Sequence, residues 1–195
     1  MLTLPRTLTL TPTQFEEVCA ANPEAVLELD ANGTLIEMTP TGGTTSARNS
    51  RLVNQLLSWA DLHGGWIVFD SSGGFLLPDG SVRSPDASVV PLDRWQALSE
   101  AQREGFPPLC PDLVVELASR SDDPEALRRK MAAYLANGAR LGWLLLPQSR
   151  SVEVWTPGQE SVEPTSARVI NDAQRLEAGE EFGGLALDLK EIWEA

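Results

Sequence analysis

PDLVVELASRSDDPEALRRKMAAYLANG, residues 111–138, decides the fold. It opens with an apolar run, Leu113-Val114-Val115-Glu116-Leu117, bounded by turn residues. Such a run suits a strand buried on both faces. Glu116 breaks the pattern. Moving an ion out of water costs on the order of several kcal/mol even after relaxation. A chain keeps such a carboxylate when it is paired, binds metal or does chemistry.

The segment then turns through Ser119-Arg120-Ser121-Asp122-Asp123-Pro124, a set of helix-start signals with proline near the first turn. Leu127, Met131, Tyr134 and Leu135 follow at helical spacing and form one apolar stripe. Asn137-Gly138 stops the helix. Lys130 falls three residues after Leu127 and four before Tyr134, on the margin of that stripe, while Arg128 and Arg129 point elsewhere. Strand and helix thus offer one inward carboxylate and one inward-leaning ammonium.

Upstream, Val26-Leu27-Glu28-Leu29-Asp30 and Thr34-Leu35-Ile36-Glu37-Met38 flank Asn32-Gly33, a hairpin signal. Residues 1–11 alternate Thr and Leu as a short edge strand or arm, and Thr11-Pro12 starts a helix carrying Phe15, Val18 and Cys19. Residues 39–45 read as a loop, because the pair Gly42-Gly43 lacks the lysine of a P-loop. Residues 48–62 form an amphipathic helix, with His63 at its end as a cap or surface group. Strands follow at 66–69, 73–78 and 81–90, then a short helix at 95–104. Asp86 follows Pro85 at the start of an apolar strand, a place where turn or cap aspartates are common. After the central stretch, 141–146 is a second fully apolar strand and 151–156 an outer strand. The tail carries an acidic solvated stretch at 177–181 and apolar residues at 185–193 that dock back on the core. The order implies a mixed sheet with helices on its faces, an α/β (α+β) class.

A length of 195 residues fits a single domain spanning 1–195. Formal net charge is −13, which argues against a broad basic nucleic-acid face. A local basic groove stays open, since screening limits charge effects to ~8–10 Å. Cys19 and Cys110 lack metal-ligand spacing and read as free thiols in a reducing compartment. No stretch reaches the ~18 apolar residues of a membrane span, and no signal peptide is evident, so a cytoplasmic location without membrane contact is expected.

Asp86, Glu116 and Lys130 are polar residues set against apolar patterns. Two carboxylates at strand ends can hold a hard divalent cation through oxygen. The cation can polarise a phosphate and acidify a water, and a lysine can stabilise developing charge or help orient that water. The bland alternative is a buried Glu116–Lys130 ion pair in a structural protein.

The segments LPDGSVRSPDASVV (77–90), PDLVVELAS (111–119), RRKMAAYLANG (128–138) and LGWLLLP, with the hairpin LELDANGTLIEM (27–38), resemble the Uma-two family of endonucleases within the PD-(D/E)XK superfamily. The resemblance covers roughly residues 12–190. It implies a restriction endonuclease-like fold and Mg2+- or Mn2+-dependent hydrolysis of phosphodiester bonds. The implied partner is nucleic acid, DNA in the first instance, with a homodimer suited to double-strand cutting. By the same resemblance Asp86 and Glu116 are metal ligands, the Leu117 carbonyl is a third, and Glu37 is an additional acidic group. Position 118 holds alanine where the simple motif has lysine, and Lys130 on the next helix takes that role. The competing function is a non-catalytic binding or assembly module on the same fold. A nuclease is expected to show a basic rim drawn from Arg48, Arg51, Arg83 and Arg120.

Overall fold

Thr11 opens the first helix with a capping box: its hydroxyl accepts from the Gln14 amide, and the Gln14 side chain reaches back to the Thr11 N–H. That helix, α1 (Pro12–Ala21), buries Phe15 against the hairpin β1 (Val26–Leu29) and β2 (Leu35–Met38). The structure, a computed structural model, describes residues 8–38, 40–158 and 165–195, so most of the expected N-terminal arm lies outside the described residues.

The hairpin turn is closed by Asp30, whose Oδ1 accepts from the amides of Asn32 and Thr34, both at 2.8 Å. Gly33 stands in the left-handed region (φ 79°), and a Cβ there would lie 2.6 Å from the Leu10 carbonyl oxygen. Left-handed backbone costs an L-residue about 1–2 kcal/mol before any clash. Gly33→Ala should therefore lose at least that much, read as a lower denaturant midpoint at unchanged slope.

α2 (Gly43–His63) begins five residues earlier than its apolar pattern predicts, through Gly42, which caps it without a side-chain bond. His63 at its end contacts the Trp59 carbonyl oxygen through Nδ1 at 2.9 Å. β3 (Trp66–Asp70), β4 (Phe75–Leu76), β5 (Val82–Arg83) and β6 (Ala87–Pro91) follow. The expected strand 81–90 is thus two strands, and they belong to different sheets. Residues 84–86 make the crossing between them. The expected helix 95–104 is also two: α3 (Leu92–Gln96) and α4 (Glu100–Glu104), separated because Ser99 caps the second with its own capping box.

β7 (Leu113–Leu117), α5 (Pro124–Ala136) and β8 (Leu141–Leu146) form a strand–helix–strand unit whose two strands pair in parallel. β9 (Ser151–Pro157) and β10 (Thr165–Asn171) extend the sheet, so β9 is covered rather than outermost. β11 (Arg175–Glu177), β12 (Ala186–Asp188) and α6 (Leu189–Trp193) complete the chain, and the tail docks as expected, with Leu187, Leu189 and Ile192 fully buried. The main sheet runs β10-β9-β8-β7-β6-β3, antiparallel except for β7 and β8. A smaller sheet runs β2-β1-β5-β4.

Strand alternation sorts the core. Leu113, Val115 and Leu117 pack with Leu52 and Leu56 of α2. Val114 and Leu144 pack on the other face with Met131 and Tyr134 of α5. Glu116 shares the parity of Val114 and so faces α5. Among the described residues, no helix is long and apolar enough to cross a membrane. Both cysteines are free, and burial pushes the Cys110 thiol up to about 12.

Candidate active site

Glu116 is only 3% exposed, beneath α5. Lys130 and Tyr134 are one helical turn apart, so they reach down from the same side of that helix. Lys130 Nζ lies 2.9 Å from Glu116 Oε1, and the Tyr134 hydroxyl donates to the same oxygen at 3.1 Å. The buried ion pair considered from sequence is therefore present.

Asp86 reaches the same place from β6. Ala87, the first residue of β6, stands opposite Val115, so Asp86 just before it lies beside the end of β7, close enough for its charge to repel Glu116. Asp86 Oδ2 accepts from the Leu117 amide at 2.7 Å, and Oδ1 accepts from Asn49 Nδ2 of α2 at 3.3 Å. Leu117 thus meets Asp86 through its N–H. A cleft of about 350 Å³ opens onto Asp86 from the α2 side, walled by Ser46, Asn49 and Asn54 and by Asp70 at the end of β3.

Glu28 is the residue sequence reasoning missed. It comes from β1 of the smaller sheet and is 2% exposed. Its Oε1 lies 2.8 Å from Lys130 Nζ and accepts from the Ser84 amide at 2.9 Å; its Oε2 pairs with Arg83 Nη1 at 3.0 Å. Lys130 Nζ also donates to the Ser84 carbonyl oxygen at 3.1 Å. The signal was available, because a charge inside Val26-Leu27-Glu28-Leu29 breaks an apolar pattern as Glu116 does. Alternation in a hairpin masked it, since a half-exposed strand places such a residue in water. Glu37 is not brought to this group. It is exposed and pairs across from Leu27, on the hairpin face opposite Glu28.

The electrostatics follow from crowding. Burial, with Asp86 and Glu28 adding repulsion, pushes Glu116 up to about 8 despite the opposing pull of Lys130. Burial also raises Asp86, against the Leu117 N–H and Lys130. Glu28 differs: burial works against its charge, but Lys130, the Ser84 amide and Arg83 outweigh it and hold Glu28 below its usual range. Lys130 loses solvation too, yet Glu116 and Glu28 overcome that and hold it well above an ordinary lysine. Three carboxylates therefore face Lys130 and Arg83.

The expected arginine rim is thinner than the sequence implies. Arg48 donates to the carbonyl oxygens of Ile192 and Trp193, both at 3.2 Å, and so holds the end of α6. Arg83 is committed to Glu28. Arg51 and Arg120 remain exposed.

The sequence matches the Uma2 family model, described as "putative restriction endonuclease", over residues 12–190. The chain belongs to the Uma2 family. A solved structure with a similar fold is titled "a putative nuclease belonging to DUF820", from Anabaena variabilis. It superposes with a TM-score of 0.74 at 22% identity, covering 95% of this Uma2 chain and 98% of the other. The likeness fixes the fold as restriction endonuclease-like, a mixed sheet flanked by helices. Among the curated proteins, none matches this sequence.

Asp86 and Glu116 themselves offer carboxylate oxygens, which suit a hard divalent ion. Among the described residues, no group of three or more His, Cys, Asp or Glu side chains is placed to hold an ion unaided. An ion here would take two carboxylates and complete its shell from a carbonyl and water. Burial is the main cause that raises Glu116, and repulsion from Asp86 and Glu28 adds to it, a repulsion that a bound cation would relieve, so the residues fit such an ion.

Proposed function

We propose that this Uma2 chain is a divalent-metal-dependent nuclease that hydrolyses phosphodiester bonds, folded as one domain. Asp86 and Glu116 would hold magnesium or manganese, joined by the Leu117 carbonyl. The observation that carries the reading is the convergence of Asp86 and Glu116 at the end of β7, with Asp86 bonded to the Leu117 amide next to Glu116 and open to the cleft. When bound, the ion would supply Lewis-acid polarisation of a phosphate oxygen and an acidified water.

The chain's own residues do the rest. Asp86 is oriented by the Leu117 N–H and by Asn49, so its remaining lone pairs are aimed without reorganisation. Tyr134 and Lys130 both engage Glu116 Oε1 and set its rotamer. Lys130 stays an ammonium at any working pH, so it acts as a fixed positive charge near the scissile phosphate and not as a general base. The Ser and Asn side chains of α2 offer neutral hydrogen-bonding groups along the cleft, suited to a sugar–phosphate backbone.

Because Glu116 titrates near 8 and cation binding requires its ionised form, divalent affinity should depend on pH where ordinary carboxylates are silent. Below pH 8 the group is mostly protonated, so affinity rises toward pH 8, by up to about tenfold per unit, and levels off above it. Calorimetry at pH 6.5 and 8.5 in buffers of different ionisation enthalpy should detect about one proton released at the lower pH and little at the higher.

One observation favours the non-catalytic alternative. The three N–H groups of Lys130 are matched by three protein oxygens, so the cluster is closed without substrate. Incubation with single- and double-stranded DNA and RNA, with and without magnesium or manganese, separates the readings. Cation-dependent cutting supports the nuclease. Binding without cutting at any cation concentration supports the module.

A further inference from the structure

Glu28 joins two parts of the site that no single element connects. Its carboxylate takes one N–H of Lys130 on α5. It also takes the Arg83 guanidinium, at the end of β5, and the amide of Ser84, the first residue of the segment crossing between the two sheets. That segment runs directly into Pro85-Asp86. Lys130 closes the loop by donating to the Ser84 carbonyl oxygen. The smaller sheet therefore reaches Lys130 through the Glu28 side chain. We propose that Glu28 is a positioning residue that clamps Lys130 beside Glu116 and fixes the start of the 84–86 segment that delivers Asp86 to the Leu117 amide. Its consequence for cutting rests on the nuclease reading; the clamp itself does not.

Charge and geometry support the clamp together. Glu28 is ionised, buried and engaged on both oxygens, and its partners are two cations and a backbone amide. Without it, Lys130 would keep Glu116 and the Ser84 carbonyl oxygen but lose its shortest contact. Arg83 and Ser84 would lose their bonds to Glu28.

Composition makes the test clean, because Lys130 and Lys190 are the only lysines in the sequence. Lys190 is exposed, whereas the Lys130 side chain is 11% exposed with three acceptors. In the full chain labelled with 15N-lysine, one ammonium resonance should be protected from solvent exchange near neutral pH. Glu28→Gln should speed that exchange at least tenfold. It should also lower kcat on a cleaved nucleic acid by about 10–100-fold, the range for groups that orient metal ligands, with KM changed less than threefold. Arg83→Gln, which removes only the outer partner, should give a smaller, severalfold acceleration and serves if Glu28→Gln does not fold. Absence of a protected ammonium in the unaltered chain, or unchanged exchange in either variant, overturns the proposal. So does a change confined to KM. If the unaltered chain cuts no nucleic acid, the nuclease reading fails, while the ammonium spectrum still decides the clamp.

Discussion

Asp86→Ala should abolish cation-dependent cutting, by at least about 10³-fold in kcat/KM, with the chain still folded. Lewis-acid stabilisation of a phosphoryl transition state is worth several kcal/mol, and about 4 kcal/mol corresponds to ~10³ in rate. Stability moves far less, because two effects oppose. The Leu117 N–H loses its acceptor, at a cost of about 1–3 kcal/mol if no water replaces it. Against that, burial raises the Asp86 pKa, so its ionised form is unfavourable in the folded chain at neutral pH, and removing it gives some stability back. Asp86 also repels Glu116, and alanine ends that. Cutting assays beside thermal melts without divalent ions measure both. A variant that still cuts at a tenth of the normal rate would remove Asp86 from the cation site.

The second large effect is a contrast between two buried glutamates on one lysine. Glu116 has a folded pKa near 8 against an ordinary 4.5, so the folded chain binds more protons between those values. Its contribution to stability is present below about pH 4.5 and is lost as pH rises through 8. Glutamine mimics the neutral form, so Glu116→Gln should match or exceed the unaltered chain's stability at pH 8–9 without metal. Glu28 behaves oppositely. Its pKa is held down, so its contribution is present above the ordinary carboxylate range and is lost as pH falls through its folded value. Glu28→Gln leaves Lys130 and Arg83 short of a partner, and breaking a buried pair this way costs ~3–5 kcal/mol. For a chain of this size that is on the order of 10 °C in Tm. Melts of the two variants at pH 8.5 should therefore separate widely, with Glu28→Gln the lower. The reverse order would make Glu116–Lys130 the structural pair and Glu28 the dispensable partner.

What the sequence disclosed was pattern violation. Glu116 stands out because an apolar run such as Leu113 to Leu117 holds a charge only when it is paired, binds metal or does chemistry, and both faces of β7 are buried as that reading requires. Lys130 was legible from helical spacing against Leu127 and Tyr134. Asp86 was ambiguous alone, since turn aspartates look the same. Its meaning comes from register, which no local pattern fixes: the 81–90 stretch splits between two sheets, and only that split aims Asp86 at Leu117. Glu28 and Glu37 show the same limit. They lie in one hairpin on opposite faces, and choosing between them requires knowing which face is covered. Half of the arginine rim was lost for a related reason, because Arg48 and Arg83 found acceptors far away in sequence while Arg51 and Arg120 stayed exposed.

The most direct test is calorimetric titration of magnesium and manganese into the unaltered chain, Asp86→Ala and Glu116→Gln at pH 8.5. One saturable cation site in the unaltered chain, lost in both folded variants, is the predicted result. Equal cation affinity in all three would contradict the assignment of Asp86 and Glu116 as a shared metal site.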